Sequence, residues 1–357
     1  MSQFEERVKA HLVELEQAGL RRTLRAPRGI DLSSNDYLGL ANHPCVVERM
    51  SAAVKELGAG STGSRLLRGQ RECFEAVEHK FAAFKGTERA LYFSSGYLAN
   101  LAVLSTFCEK GDVVYSDEFN HASIVDGVRL SSAERVIYPH GTVPDAKGFV
   151  TTESLFSMDG DFAPLRELAA TGATLMVDEA HAVGIFGDRG SGLIEETGVS
   201  KDVFVSINTA GKALGVSGAF VAGPEWAIEY LIQRARPFIF STAAPPAVAA
   251  AIEAALDVIA AEPERSARLR ALARYLRQRL GMPESDSPII PYILGENRRA
   301  VAVAERLQAE GFDVRAIRPP TVPPGTARLR ISVHANLTEE ILDRFAKTLE
   351  TVCRDFS

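Results

Sequence analysis

Short apolar runs rich in β-forming residues alternate with helical patterns from about Val46 onward. The runs cover residues 90–93, 113–115, 174–177 and 203–207. Apolar strands separated by helices are typical of a parallel sheet wrapped by helices. The pattern predicts an α/β fold with a mostly parallel sheet in this part of the chain.

The pattern is different at both ends of the chain. Residues 1–20 have the spacing of an amphipathic helix, with Phe4, Val8, Leu12 and Leu15 on one face, and a turn-rich stretch follows at 33–40. After the Pro245-Pro246 pair, the pattern of helices and strands is typical of a smaller α+β unit. Its predicted elements are helices at 247–261, 264–280, 300–310 and from 338, and strands at 289–294 and 328–333.

These changes predict three parts. Residues 1–37 form an N-terminal helix and arm, residues 38–259 a large domain, and residues 260–357 a small C-terminal domain.

Composition and charge exclude several classes of function. The chain has 357 residues, 46% hydrophobic and 24% charged, with a formal net charge of -6. That balance is typical of a globular protein, and the negative charge disfavours nucleic acid or an anionic membrane as a partner. Four scattered cysteines without a CxxC pair predict reduced thiols and no metal site. Without a signal-like or membrane-spanning run, we expect a cytoplasmic protein.

Lys212 lies just after an apolar strand, in the string Thr-Ala-Gly-Lys-Ala-Leu-Gly that covers residues 209–215. A lysine taken alone is usually a solvated surface charge. In an apolar, glycine-lined cleft, however, an amine has a depressed pKa and becomes a nucleophile toward an aldehyde. Pyridoxal 5'-phosphate (PLP) supplies such an aldehyde, so we interpret Lys212 as the lysine that holds PLP as a Schiff base.

Asp178 follows the strand at 174–177 and opens the string Asp-Glu-Ala-His. A helicase-type ATPase is excluded because Gly211-Lys212 is followed by Ala213 and Ser206 replaces the first glycine of a P-loop. One alternative is that Asp178 only caps the next helix. Beside Lys212, it fits the carboxylate that keeps the PLP ring nitrogen protonated.

Two histidines extend this candidate site. His181, three residues after Asp178, can reach the phenolic oxygen of PLP, although a semi-buried structural histidine is the alternative. His121 follows the strand at 113–115 and can stack on the PLP ring. The structural alternative for this segment is that Asn120 caps the next helix.

Ser95, Gly96 and Tyr97 form a turn that opens a helix, whose first N–H groups can bind the phosphate of PLP. The hydroxyl of Thr209 can add a further contact. The string at 58–63 matches GxGxxG but follows a helical pattern, so we reject a dinucleotide site.

Taken together, these motifs resemble the α-oxoamine synthases, a family of fold-type I PLP enzymes that join an amino acid to an acyl thioester with loss of carbon dioxide. The resemblance covers nearly the whole chain. Its motifs are NDYLGL at 35–40, STGSR at 61–65, FSMDGD at 156–161, DEAHAVG at 178–184, TAGKALG at 209–215 and STAAPP at 241–246.

The resemblance implies a role for each matching residue. Lys212, His121, Asp178 and His181 are implied to be catalytic, with Lys212 also acting as the base of the condensation. Cofactor contacts are implied for Lys212, Ser95, Gly96, Tyr97, His121, Ser157, Asp178, His181 and Thr209, and, from the second chain of a homodimer, for Ser241 and Thr242. Substrate contacts are implied for Arg21, His121, Thr321 and Arg330, of which Arg330 receives the amino-acid carboxylate.

Residues 316–330 and the Leu20-Arg21 pair are most similar to the branch that condenses L-alanine with a pimeloyl thioester in biotin biosynthesis. The carrier of the pimeloyl group, coenzyme A or a carrier protein, stays open. Two alternatives remain: another synthase of the family, of the glycine C-acetyltransferase, 5-aminolevulinate synthase or serine palmitoyltransferase type, and a non-catalytic PLP-binding protein. Arg21 and Arg330 disfavour the last, because a pure binder needs no sites for two substrates.

Overall fold

A computed structural model of the chain describes residues 2–356. Met1 and Ser357, the outer limits of the predicted domains, lie outside the described residues. The helices are α1 Gln3–Gln17, α2 Pro44–Leu57, α3 Glu72–Lys85, α4 Gly96–Phe107, α5 Ala122–Ser131, α6 Leu165–Ala170, α7 Leu193–Thr197, α8 Glu225–Arg234, α9 Arg236–Ile239, α10 Pro246–Ala261, α11 Glu264–Arg279, α12 Asn297–Ala309 and α13 Glu339–Asp355. The strands are β1 Ile30–Asp31, β2 Arg89–Phe93, β3 Val113–Asp117, β4 Glu134–Tyr138, β5 Phe149–Glu153, β6 Thr174–Asp178, β7 Val203–Thr209, β8 Ala219–Gly223, β9 Ile289–Gly295, β10 Phe312–Asp313, β11 Arg315–Ile317 and β12 Ala327–Ser332.

The chain divides into two compact units. The large unit comprises Asn35–Ser157 and Asp161–Leu269, and the small unit comprises the chain up to Ser34, the segment Met158–Gly160 and the chain from Arg270 onward. The predicted domain boundaries at 37/38 and 259/260 stay a prediction.

A seven-stranded sheet forms the centre of the large unit, in the order β2-β8-β7-β6-β5-β3-β4. The five strands from β7 to β4 are parallel to their neighbours, and β8 is antiparallel to both β7 and β2. The predicted α/β fold with a mostly parallel sheet is therefore confirmed. Because β2 is antiparallel to β8, it has the same direction as β7, so β8 is the reversed strand, and the sequence pattern did not mark β8.

Apolar side chains fill the space between this sheet and its helices. Helix α4 contributes Ala99, Val103 and Leu104, which are at most 1% exposed and belong to one core cluster with Met176 and Val205. Fully burying a valine or leucine stabilises the fold by about 1.5–3 kcal/mol. The core thus fixes α4, and with it the turn at the N-terminus of this helix, against the sheet.

In the small unit, β12 lies between β11 and β9 and is antiparallel to both. Thr338 caps helix α13, since its side chain accepts a hydrogen bond from the backbone N–H of Ile341 at 3.3 Å. One face of α13 is buried, including Leu342, Phe345 and Leu349. The predicted helix and strands of this segment are thereby confirmed.

No helix within residues 2–356 is both long and apolar enough to cross a membrane. All four cysteines are thiols and not disulfides.

Candidate active site

Three parallel strands end in polar, buried residues. Glu153 is the last residue of β5, Asp178 of β6 and Thr209 of β7, and their exposed fractions are 3%, 7% and 8%. Glu153 and Asp178 are register partners across the two strands. Ligands bind at this edge of open parallel sheets because loops and helix N-termini converge there.

Lys212 and His181 are in direct contact. The Lys212 Nζ lies 2.8 Å from His181 Nε2, and His181 Nδ1 lies 2.7 Å from the Tyr37 hydroxyl. That hydroxyl donates to Asn35 Oδ1 at 3.0 Å, so its oxygen is the acceptor for a proton on Nδ1. Nε2 is then the acceptor for the lysine amine. The structure thus brings together two predicted residues and adds Tyr37, which the NDYLGL motif contained without an assigned role.

Asp178 is connected to His121 through two polar side chains. Asn100 Nδ2 donates to Asp178 Oδ2 at 2.7 Å and to Ser123 Oγ at 3.0 Å. Ser123 Oγ lies 2.7 Å from His121 Nδ1, which also accepts from the backbone N–H of Ser123 at 3.2 Å. The strand-end carboxylate and the candidate ring-stacking histidine therefore belong to one hydrogen-bond network. The sequence analysis singled out neither Asn100, which lies inside α4, nor Ser123, which lies in the first turn of α5.

His121 itself is the N-cap of α5, so the alternative in which Asn120 caps this helix is wrong. The Asn120 amide instead donates to Ser116 Oγ and to the Thr151 carbonyl. Removal of solvent lowers the pKa of His121, the charge of Asp178 raises it and that of Lys212 lowers it, and the net pKa lies below its ordinary value. His121 is consequently a neutral imidazole near pH 7.

The alternative that Asp178 caps the next helix is wrong, because a turn follows β6 and the next helix, α7, has Gly192 as its N-cap. Asp178 Oδ1 accepts a hydrogen bond from the backbone N–H of Ala180 at 2.8 Å. This bond stabilises the turn after β6, while Asn100 holds the second carboxylate oxygen.

Glu153 is a buried carboxyl that the sequence did not single out. Its Oε2 accepts from the backbone N–H of Ser157 at 3.2 Å, and its Oε1 has no hydrogen-bond partner among the described residues. Burial and the negative charge of Asp178 raise the pKa of Glu153 to about 8, against the opposing charge of Lys212. Because buried carboxylates are rare, a sequence pattern gives no reason to expect this group.

The predicted phosphate-binding turn opens helix α4 as expected. Ser95 is the N-cap, and its side chain accepts from the backbone N–H of Leu98 at 3.2 Å. The first N–H groups of a helix have no intrahelical acceptor and can bind an anion. A Cβ built on Gly96 would meet only atoms of Thr209, 3.8 Å away, so this turn stands beside the end of β7. Tyr97 contacts the edge of the His121 ring, with centroids 6.3 Å apart.

Two further predicted groups lie in the large unit. The backbone N–H of Ser157 is held by Glu153, as described. Thr242 forms an isolated antiparallel bridge with Ser64; Thr242 is exposed and Ser241 partly exposed, so both remain accessible on this chain.

The small unit contains the three predicted substrate residues Arg21, Thr321 and Arg330. Arg330 lies on β12, is 6% exposed and donates from Nη1 to Ser332 Oγ at 2.8 Å. Arg318 connects the other two, since its Nη2 donates to the Arg21 carbonyl at 3.4 Å and its carbonyl accepts from the Thr321 N–H at 3.1 Å.

The residues of the large unit fit PLP. An amine for the aldehyde, a strand-end carboxylate for the ring nitrogen and a helix N-terminus for the phosphate lie along one edge of one sheet. Glu153 Oε1 is a buried polar atom without a hydrogen-bond partner within residues 2–356, and Asp178, Lys212 and Ser157 lie around it.

Comparison with known proteins gives the family. The protein-family model described as "Aminotransferase class I and II" matches residues 27–349. Curated proteins called 8-amino-7-oxononanoate synthase are 46% identical in Anaeromyxobacter dehalogenans, with 98% of this chain and 96% of that protein covered, and 44% identical in Chromohalobacter salexigens, with 91% and 90% covered.

Solved structures have the same fold. A serine palmitoyltransferase from S. paucimobilis with bound PLP has a TM-score of 0.91 at 29% identity, with 99% of each chain covered. An 8-amino-7-oxononanoate synthase from Francisella tularensis has a TM-score of 0.82 at 31% identity, with 92% of this chain and 99% of that chain covered. The predicted fold type and the PLP cofactor are therefore confirmed.

Proposed function

Because this chain belongs to the class I and II aminotransferase family, we propose that it is a PLP-dependent acyltransferase that condenses L-alanine with a pimeloyl thioester. The products are 8-amino-7-oxononanoate, carbon dioxide and the free thiol, and the reaction is a step of biotin biosynthesis. Relatives of 42–46% identity over nearly the whole chain support this activity. The observation that carries it is the 2.8 Å contact between Lys212 Nζ and His181 Nε2 beside the buried Asp178.

When bound, PLP supplies an aldehyde for an amine and a ring that accepts electrons from the bond broken at the α-carbon of the amino acid. Lys212 supplies that amine and, once released, holds and returns the α-proton. The Nε2 of His181 orients the Lys212 amine by accepting its hydrogen bond, while Tyr37 fixes the opposite side of the imidazole.

Asp178 contributes a negative charge to the site, and His121 contributes a flat, uncharged ring. The carboxylate of Asp178 places a negative charge at the end of β6, which stabilises positive charge opposite it. The lowered pKa of His121 keeps its ring neutral, so it adds a flat surface without a second positive charge beside Lys212. Hydrogen bonds from Asn100 to Asp178 and between Ser123 and His121 hold both side chains in place.

Both substrates carry a carboxylate, and we assign these to arginines and to nearby polar groups of the small unit. Arg330, buried on β12, suits the carboxylate of L-alanine because a guanidinium binds a carboxylate with two parallel hydrogen bonds. Arg21 and Thr321 suit the acyl substrate, and their connection through Arg318 keeps them in one local structure.

A homodimer is part of the proposal, with Ser241 and Thr242 reaching the phosphate bound by the second chain. Helix α1 supports association, because Phe4, Val8 and Leu12 on its apolar face are all exposed in the single chain. The cytoplasm is the proposed compartment.

A serine palmitoyltransferase-type activity is the second candidate, favoured by the TM-scores of 0.90–0.91 to structures of that name. Sequence argues for the first candidate, because those proteins are only 29–32% identical to this chain. Overall shape is shared across chemistries, whereas the residues around the substrate differ.

A substrate panel tests the proposal. Thiol release is measured with L-alanine, glycine or L-serine against pimeloyl-, acetyl-, succinyl- and palmitoyl-CoA. The proposal predicts the highest kcat/KM for L-alanine with pimeloyl-CoA. A preference for glycine or serine, or for another acyl group, contradicts the assigned substrates but leaves the family intact.

A further inference from the structure

Glu153 lies among the residues that the proposed function uses, but it has no part in that function so far. It is the last residue of β5 and the register partner of Asp178 at the end of β6. Its side chain is buried, although a glutamate is almost never fully buried unless it has a partner. A buried carboxyl at the sheet edge where ligands bind is a candidate for a part in the reaction.

The backbone of Glu153 is tied to the turn before α5 by the side chain of Asn120. Asn120 Nδ2 donates to the Thr151 carbonyl at 2.8 Å, and its Oδ1 accepts from the backbone N–H of Glu153 at 3.1 Å. A carboxamide has both donors and an acceptor, so one side chain can bind a C=O and an N–H of the same strand. The residue that follows Asn120 is His121, so this bridge fixes where the backbone of His121 lies.

The carboxyl group of Glu153 contacts the backbone of two residues that are expected to hold PLP. Oε2 accepts from the backbone N–H of Ser157 at 3.2 Å. The backbone N–H of His121 lies against the same carboxyl group. One side chain thus lies between the turn before α5 and the turn after β5, and both turns carry a cofactor residue.

The surroundings of Glu153 favour the neutral form of its carboxyl group. Two buried carboxylates at neighbouring strand ends do not both ionise without a large electrostatic cost. Asp178 receives hydrogen bonds from the Asn100 amide and from the backbone N–H of Ala180, which stabilise its charge. Glu153 is then the neutral member of the pair, and because Oε2 accepts from the Ser157 N–H, its proton is on Oε1.

We propose that Glu153 is a positioning residue for the reaction: its buried, neutral carboxyl group holds the turns of His121 and Ser157 in place around the cofactor. Asn120 is its partner at the backbone. The inference rests on the proposed function, in which the bound cofactor must be correctly oriented toward Lys212. A misplacement of about 1 Å in a site of this kind can lower a rate by about 100-fold.

The test compares three variants of the full chain loaded with PLP. Glu153→Gln keeps an oxygen for the Ser157 N–H and has N–H donors where the neutral acid has its proton, whereas Glu153→Ala removes both. Thr152→Ala is the matched control. Thr152 is the preceding residue of β5 and is fully buried, and its side chain lies on the opposite face of the sheet because side chains alternate along a strand.

Two measurements are made on each variant. The first is kcat and KM for thiol release from pimeloyl-CoA with L-alanine. The second is the visible circular dichroism of bound PLP without substrate, which reports how the site orients the cofactor ring and does not depend on turnover. Urea unfolding gives the stability of each variant, so that a loss of stability is separated from a change in the site.

We expect Glu153→Ala to lower kcat by about 100-fold, to change the KM for pimeloyl-CoA by less than about threefold, and to alter the visible dichroism. Glu153→Gln should keep kcat within about threefold of the parent and keep the dichroism of the parent. Thr152→Ala should lose stability but keep both kcat and the dichroism.

Three results overturn the inference: parent-like kcat and dichroism in Glu153→Ala, an equal change in Thr152→Ala, or a Glu153→Gln variant as impaired as Glu153→Ala. If Glu153→Ala does not fold, Asn120→Ala decides, because it removes the bridge and leaves the carboxyl. Parent-like dichroism and kcat in Asn120→Ala then overturn the inference, and altered values support it. A parent without thiol release from any acyl donor contradicts the proposed function, whereas the dichroism still tests the role of Glu153.

Discussion

Glu153 and Asp178 are register partners at the carboxyl ends of the parallel strands β5 and β6, and both are buried. Two carboxylates placed in this way cannot both be charged without a large electrostatic cost. The pKa of Glu153, raised to about 8, means that Glu153 is the protonated member near pH 7. The site therefore combines a neutral acid, a neutral imidazole at His121 and the Lys212 amine.

The raised pKa of Glu153 makes stability depend on pH. Between its ordinary value of 4.5 and about 8, the folded chain holds a proton that the unfolded chain has lost, so stability falls as pH rises through this window. Glutamine mimics the neutral acid. We expect Glu153→Gln to lose less stability between pH 5 and pH 8 than the parent, as measured by urea unfolding of the PLP-loaded protein. An identical pH dependence in parent and variant would mean that Glu153 does not bind a proton in this range.

His140 gives a pH dependence in the neutral range. Burial lowers its pKa, but hydrogen bonds to Asp117 at 2.9 Å and Asp161 at 2.7 Å, with the charges of both, raise it above its ordinary value of 6.5. The stability from this histidine is complete below pH 6.5 and is lost as pH rises through the folded pKa.

We therefore expect His140→Gln to reduce the loss of stability between pH 6.5 and pH 8, as measured by urea unfolding at both values. His11→Gln on the exposed face of α1 is the matched control. An equal pH dependence in parent and His140→Gln would contradict the double contact to Asp117 and Asp161.

Lys85 and Glu179 form a buried ion pair, with Nζ 2.5 Å from Oε2 and side chains 3% and 0% exposed. Removing one partner leaves a buried charge without compensation, which costs about 3–5 kcal/mol. We expect Lys85→Met to lower the free energy of unfolding by about that amount. The double variant Lys85→Met with Glu179→Gln should recover a large part of it. No recovery in the double variant would mean that the loss comes from packing and not from the unpaired Glu179.

The sequence alone was sufficient to locate the polar residues that follow the central strands. Asp178 and Thr209 end apolar runs, and Lys212 lies just after β7, so a strand pattern placed all three at one sheet edge. The strand β5, with two threonines and a glutamate, had no apolar run to mark it, and Glu153 was missed with it.

The sequence could not identify hydrogen-bond partners that come together only when the chain folds. Tyr37 reaches His181 from 144 residues away, and Asn100 reaches Asp178 from 78 residues away. The motif around Tyr37 marked it as part of the resemblance, but only the fold shows which histidine nitrogen it contacts. Helix α1 was correctly predicted as amphipathic, yet none of its described residues is buried in the single chain.

The most direct test of the account is to trap the cofactor on its lysine. PLP-loaded protein is reduced with borohydride, digested and mapped by mass spectrometry, with Lys212→Ala and the exposed Lys201→Ala treated in parallel. A Schiff base on Lys212 predicts a reduced pyridoxyl group on Lys212 in the parent and in Lys201→Ala, and none on any lysine of Lys212→Ala. A stoichiometric label on another lysine, or a parent that binds PLP without any label, would contradict it.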